Sequence, residues 1–341
     1  MHISEFDYSL PQEYIAQVPI EPRDGSRMMI VDRGGKNITD SFFYKLPGLL
    51  NKKDMLVFND SRVIPARIFC KQKDHSTKLE VLLLRRIEPG IWECIVRPGR
   101  KIMPGDILFP VHQNGKPGVE GIDILEKKEG GLRIIHMPDE SIVDSFGNVP
   151  LPPYIHTPLE QPERYQTVYS SIKGSVAAPT AGLHFTPALL EKVKMKDVKT
   201  VFVTLHIGLD TFRPIREEDP LKHPIHTEFG EISSHAAERI NEAKKAGGRI
   251  IAVGTSTVRL LEAASRNGMI HPWSDQVKTF ITPGFSFQIT DAMITNFHLP
   301  RSTLLLLVSA FAGKDLIFGA YEQAIQKKYR FYSFGDCMFI R

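Results

Sequence analysis

What most constrains this chain is a change of rhythm along it. Between about residues 62 and 151, short apolar runs are cut repeatedly by turn residues: Glu88-Pro89-Gly90, Pro98-Gly99, Pro104-Gly105, Asn114-Gly115, Pro117-Gly118 and Gly130-Gly131. Glycine supplies positive φ and proline fixes φ near about −65°, so each pair favours a tight reversal. Residues 79–85 read as one strand and 91–96 as its return. Strands this short and this numerous predict a small antiparallel β-barrel.

On either side of that stretch the texture lengthens into strands alternating with helices. Thr186-Pro187 starts a helix through about 194, with proline where no donor is needed. Residues 200–205 are β-rich, and a helix over 234–246 stops at Gly247-Gly248. Residues 249–253 read as a buried strand, and Gly254-Thr255-Ser256-Thr257 leads into a helix over 258–266. A strand over 292–297, an apolar helix begun by Ser302 or Thr303, and a closing strand over 331–340 complete the series. Such alternation predicts a sheet covered by helices. The fold class is therefore α/β: a helix-covered mixed sheet domain over 1–61 and 152–341, with the barrel inserted over 62–151. A chain of 341 residues is long enough for two cores.

Forty-three basic against 39 acidic residues leave a net charge of +4, which permits an RNA partner without arguing for one. Cys70, Cys94 and Cys337 lie far apart and form no CxxC pair, which speaks against a zinc site or a disulfide framework. The first residues show no basic-then-apolar leader, and the most apolar run, 304–312, is too short for a bilayer. The expectation is a cytoplasmic protein with no metal and no membrane partner.

Several stretches hold more polar residues than packing needs. Asp60 and Arg62 follow the apolar run 55–58 and are placed to face a crevice, although Asn59-Asp60-Ser61 also reads as an Asx turn. The small-residue run 175–185 lets a backbone approach a ligand closely, and Thr180 and His184 add a hydroxyl and an imidazole. His206, His223, His226 and Glu228 form a histidine-rich region. Pro224 opposes the helix that metal ligation at i, i+4 requires, so a general acid or base fits better than zinc. The strand–turn–helix 250–259 offers free N–H groups, hydroxyls and Arg259 to an anion, or is only a capped helix. Asn296 and His298 sit between a strand and a helix, able to hold a ribose or base, or only to organise the turn. The tail 329–336 interleaves aromatics with arginine, a base-stacking pattern that also suits a core strand. No GxGxxG or Walker fingerprint is present in the sequence.

Taken in order, Phe6 to Pro11, Asn59 to Arg67, Leu151 to Ile155, Arg164 to Tyr169, Ala177 to Phe185, Gly254 to Glu262, Thr295 to Thr303 and Tyr329 to Ile340 resemble the S-adenosylmethionine:tRNA ribosyltransferase-isomerase family of queuosine biosynthesis. Asp210 and Ile225 stand where that family often has glycine and methionine. The resemblance implies a transferase that moves and isomerises the ribosyl group of S-adenosylmethionine. The acceptor is the aminomethyl group of a 7-deazaguanine at the tRNA wobble position, in the anticodon region. Epoxyqueuosine is formed and adenine and methionine are released, S-adenosylmethionine being consumed rather than kept as a cofactor.

That chemistry asks for a base beside the sulfonium and a proton for departing adenine. Glu228 or His206 is expected as the base and His184 as the proton source. Thr180, Asn296 and His298 are expected to hold the nucleoside with Asp60 and Arg62 nearby, and Arg259 to meet a carboxylate or phosphate. Arg85, Arg86, Arg97, Arg100 and Lys101 are candidate RNA phosphate contacts, as are Lys327 and Lys328. The rivals are an S-adenosylmethionine-dependent RNA methyltransferase, which would leave S-adenosylhomocysteine, and a non-catalytic RNA-binding protein, which would bind without turnover.

Overall fold

The computed structural model describes residues 1–341 except 74–76, 113–115, 209–213 and 226. The Asn114-Gly115 turn, Asp210 and His226 thus lie outside the described residues. The rest forms two compact units: Met1–Ser61, Pro152–Ile172 and Ala178–Arg341 in one, Arg62–Leu151 with Lys173–Ala177 in the other. The sequence reading placed 173–177 in the α/β domain. Those residues pack instead with the smaller unit, where the Ile64 amide donates to the Ser175 carbonyl at 2.9 Å.

The larger unit is built on nine strands: β1 (Arg27–Asp32), β2 (Asn37–Phe42), β3 (Met55–Asn59), β4 (Lys199–Leu205), β5 (Glu228–Ile232), β6 (Ile250–Val253), β7 (Trp273–Val277), β8 (Ala292–Asn296) and β9 (Cys337–Ile340). Their order is β7-β5-β4-β3-β6-β8-β9-β1-β2. The central four, β4, β3, β6 and β8, run parallel. β9 is antiparallel to β8, β1 is parallel to β9, and the outer pairings β1–β2, β4–β5 and β5–β7 are antiparallel.

The central strands are apolar at successive positions because both faces are covered. Met55, Val57, Ile250, Ala252, Met293 and Met338 point into one core, and Leu56, Phe58, Ile251, Val253, Ile294 and Phe339 into the other. Leu189 and Val193 of helix α1 (Pro187–Lys194) close the second core. The first is closed by α2 (Ser234–Lys245), α3 (Thr255–Ala264), α4 (Thr303–Ala312) and α5 (Lys314–Gln326). Three of these helices start on hydroxyl caps, each satisfying one orphan backbone donor. Thr186 accepts from the Leu189 amide, Ser233 from Ala236 and Ser302 from Leu305, each at 3.1 Å.

Two elements differ from the sequence reading. Helix α3 begins at Thr255 rather than Val258, because Gly254 at φ 97° turns the chain straight out of β6 into the helix. Only residues 337–340 of the tail form a strand; Phe331 makes a single parallel bridge to Ile15, and 332–336 form a turn in which Tyr332 adopts φ 70°. The Asp336 carboxylate builds that turn. It accepts the amides of Arg27 and Arg330, both at 2.8 Å, and the Arg27 Nε at 3.2 Å. A Cβ at Gly335 would lie 2.5 Å from the Arg330 carbonyl oxygen, so only glycine fits there.

The smaller unit is a closed six-stranded antiparallel barrel, the strands being Arg67–Lys71, Leu79–Glu88, Ile91–Arg97, Leu132–His136, Ile122–Lys127 and Ile107–Pro110 in that spatial order. Pairing of Cys70 with Pro110 and of Lys71 with Phe109 closes it. Alternate residues such as Ile68, Cys70, Val81, Leu83, Cys94 and Val96 fill the interior. The buried Arg133 donates to the carbonyls of Gly99 (2.8 Å) and Ile102 (3.2 Å), pinning the loop that carries Arg100 and Lys101. No single helix among the described residues is long and apolar enough to cross a membrane; α4 and α5 reach that length only as a pair bent by 115°.

Candidate active site

The four parallel strands of the larger unit end at one edge of its sheet, and β9, running the other way, begins there. In open α/β sheets, side chains leaving that edge line a crevice. Here they line a cleft that is open at its mouth. Its polar wall comes from Thr180, Glu228, Ser256, Arg259, Asn296 and His298.

At the floor, Thr180 Oγ1 donates to Asn296 Oδ1 at 3.0 Å, and Asn296 Nδ2 donates to His184 Nε2 at 3.2 Å. With Nε2 accepting, the His184 proton sits on Nδ1 and is given to Ser26 Oγ at 2.8 Å. Burial, with Arg330 and Arg23 nearby, pushes the His184 pKa down to about 3, so the ring is neutral. His184 stands behind Asn296 rather than in the cleft, both nitrogens engaged. The expected proton donor to adenine is thus placed as a support that fixes the Asn296 amide.

His298 does line the cleft. Its Nε2 lies 2.9 Å from Thr295 Oγ1, its amide donates to the Tyr321 hydroxyl at 2.8 Å, and its carbonyl accepts from Tyr8. Burial holds its pKa near about 3 as well. Across from it, Glu228 Oε2 pairs with Arg259 Nη1, Glu228 Oε1 accepts the Gly208 amide at 3.0 Å, and Arg259 Nε donates to the Thr279 carbonyl at 3.2 Å. The side chains are 6% and 12% exposed, so this charge pair is largely removed from water.

At the start of α3, Gly254 donates to the Ile294 carbonyl and Thr257 Oγ1 to the Val253 carbonyl, both at 2.8 Å. The Thr257 hydroxyl therefore ties the helix to its strand. Thr255 and Ser256 reach the cleft.

Glu228, Thr180, Arg259, Asn296 and His298 are thus brought together in the cleft, while His184 and three other expected residues do not line it. His206 does not line the cleft; its ring stacks on Phe229 with centroids 6.2 Å apart, its buried Nδ1 has no hydrogen-bond partner among the described residues, and burial lowers its pKa. Asp60 accepts from Thr204 Oγ1 at 2.7 Å, its pKa raised by burial, and belongs to the junction of β3 and β4. Arg62 lies in the smaller unit. The neighbouring Asn59 clamps β3 to β4, accepting the Leu205 amide and donating to the Leu205 carbonyl. Tyr154, Tyr332 and Ser333, which no role was assigned to, also line the cleft. The Tyr154 hydroxyl lies 2.7 Å from Ser333 Oγ, and the two tyrosine rings pack at 4.9 Å. The aromatic tail was the signal for two of these.

Among the described residues no cluster of three or more His, Cys, Asp or Glu side chains suits a metal ion. On the barrel, Arg97, Arg100 and Lys101 are exposed, while Arg85 lies 3.6 Å from Glu93. Arg86 is tied to Glu140, which also accepts from Trp92 Nε1 at 2.8 Å and from the Gly90 amide at 3.1 Å. The Arg86 guanidinium is thus part of a structural clamp.

Comparison with known proteins adds the family. A model described as "Queuosine biosynthesis protein" matches residues 3–340. A curated relative from Dehalococcoides mccartyi (strain CBDB1), named S-adenosylmethionine:tRNA ribosyltransferase-isomerase, is 51% identical, all of both chains being covered. One of the same name from Acetivibrio thermocellus is 48% identical with the same coverage. The crystal structure of a Thermotoga maritima S-adenosylmethionine tRNA ribosyltransferase is 38% identical and superposes with a TM-score of 0.58 over 99% of this chain and 100% of that one. This chain belongs to the queuosine biosynthesis protein family.

Proposed function

We propose that this chain is a ribosyltransferase-isomerase that binds S-adenosylmethionine in the cleft. It moves and isomerises the ribosyl group onto the aminomethyl group of 7-aminomethyl-7-deazaguanine at the tRNA wobble position. The products are epoxyqueuosine-tRNA, adenine and methionine, and the reaction takes place in the cytoplasm. The observation that carries this reading is the meeting of Glu228, Arg259, Thr180, Asn296 and His298 in one cleft at the ligand-binding edge of the sheet, in a chain 51% identical over its whole length to an enzyme of that name.

The sulfonium acidifies the adjoining ribose carbon, and a carboxylate in the cleft takes that proton. Of the expected bases, Glu228 lines the cleft and His206 does not, which favours Glu228. Arg259 keeps Glu228 oriented and offers its charge to the methionine carboxylate. Thr180 and Asn296, with the Asn296 amide fixed by neutral His184, orient the nucleoside, and His298 borders it. The amine attacks in its neutral form, which a desolvated site favours. S-adenosylmethionine is consumed as a substrate, and none of these steps calls on a metal or a redox partner.

Incubation with S-adenosylmethionine and tRNA carrying the aminomethyl base tests the reading, with mass analysis of RNA and small products. Adenine, methionine and a ribosyl-derived mass on the RNA are expected; S-adenosylhomocysteine with a methylated RNA contradicts it. Replacing Glu228 by Gln should slow adenine release ~10²–10⁴-fold, with His206→Ala close to wild type. The reverse pattern would return the base role to His206.

A further inference from the structure

The rim that holds the cleft continues along the sheet to an exposed aromatic pair. Sheet register sets Asn296 opposite Cys337, Cys337 beside Met28, and Met28 opposite Ser41, so these four lie in one row across β8, β9, β1 and β2. Three strand steps of about 4.8 Å put Ser41 roughly 14 Å from Asn296. Phe42, opposite Arg27, is one residue nearer the rim. Phe42 and Tyr44 are 40% and 46% exposed and stack on each other, centroids 5.5 Å apart and planes 17° apart.

Their surroundings are basic and fixed. Lys45 Nζ lies 6.0 Å from the Phe42 ring centroid, and the Arg27 guanidinium sits 4.0 Å over Tyr329. Lys327 pairs with Asp40 at 2.5 Å, and the Tyr329 hydroxyl donates to Asp40 at 2.7 Å. These residues line an open recess in which Arg27, Lys45 and Lys327 stand beside the Asp40 carboxylate, with the buried Asp336 carboxylate behind Arg27. Stacked aromatics with a cationic border suit the faces of unpaired bases and the phosphates between them. A second copy is the other occupant for an edge strand such as β2, but its lysine neighbour and charged Asp40 are the features by which proteins block strand pairing.

We infer that Phe42 and Tyr44, with Lys45 and Lys327, form a stacking platform for an unpaired base of the substrate RNA. The base it takes lies within about four nucleotides of the one being modified, at roughly 3.4 Å of rise each. The inference rests on the reading that tRNA is the substrate.

The test measures tRNA affinity and steady-state kinetics for wild type, Phe42→Ala/Tyr44→Ala and Phe42→Trp/Tyr44→Phe, after thermal melts confirm that all three fold. Loss of a base–aromatic stack should raise the tRNA Kd and the KM for tRNA about 5- to 100-fold in the alanine variant. The KM for S-adenosylmethionine should stay put, and the aromatic variant should remain within about twofold of wild type, the stack being kept. Equal tRNA affinity for the alanine variant and wild type overturns the platform. So does a wild-type dimer, seen by sedimentation, that the alanine variant loses. A wild type that binds tRNA without releasing adenine refutes the proposed reaction instead, and leaves the binding comparison to decide the platform.

Discussion

Replacing Glu228 by alanine should destabilise the larger unit strongly, because it strands a charge. Arg259 is only 12% exposed, and among the described residues its other hydrogen bond is to a neutral group, the Thr279 carbonyl at 3.2 Å. The substitution also leaves the Gly208 amide without the acceptor it has at 3.0 Å. Removing one member of a buried ion pair costs about 3–5 kcal/mol, most of it the burden of the unpaired partner. In a unit of roughly 250 residues, with about 2.1 cal/mol/K of unfolding entropy each, that lowers the melting midpoint by about 6–10 °C. Calorimetry and urea unfolding on wild type, Glu228→Ala, Arg259→Met and the double variant supply the cycle. The double variant has no stranded charge, so it should be more stable than the sum of the singles by about 1–3 kcal/mol. A Glu228→Ala loss below ~1 kcal/mol, or strict additivity, would refute the view that this pair is desolvated and coupled.

Three further outcomes follow from the geometry. His184 and His298 are each held neutral by burial, with pKa values of about 3. The unfolded chain takes up protons there below about 6.5 while the fold does not. Stability is therefore full above that pH and declines as pH falls toward 3, by up to ~1.4 kcal/mol per pH unit for each ring. His184→Gln should show a shallower decline of melting midpoint between pH 7 and 5, and an unchanged slope would contradict this. Gly254→Ala, forced to φ 97°, should lose about 1–3 kcal/mol in urea unfolding; a loss under half a kcal/mol would contradict the strained turn. Charge removal at Arg97, Arg100 or Lys101 should each lower the slope of log Kd for tRNA against log salt by about 0.7–0.9. Arg86→Gln should instead weaken the barrel by releasing Glu140, and an equal slope change for Arg86 would contradict that division.

The barrel was legible because Pro-Gly pairs impose reversals by local sterics alone. The caps at Thr186 and Ser302 were legible for the same reason: a hydroxyl before an apolar run satisfies the nearest orphan donors. The start of α3 was not, since Thr255-Ser256-Thr257-Val258 is rich in residues of low helix propensity and the deciding feature is the backbone angle at Gly254. The tail misled because alternating aromatics fit a strand, while the turn at Tyr332 is made by Asp336 reaching Arg27, distant in sequence. The same division runs through the site. Chemistry nominated Glu228, Arg259, Thr180, Asn296 and His298, and the parallel sheet gathers them. Whether a histidine serves the cleft or stands behind it depends on which neighbours its two nitrogens meet. For His184 those are Ser26 and Asn296, 158 and 112 residues away, and no local pattern encodes them.

A structure of the protein with tRNA and an unreactive S-adenosylmethionine analogue, a sulfonium whose ribose cannot leave, addresses the central claim most directly. The account predicts the analogue in the cleft, its ribose bordered by Thr180, Asn296 and His298 and its sulfonium side toward Glu228 and Arg259. An analogue bound anywhere else, with the cleft still open, would contradict it.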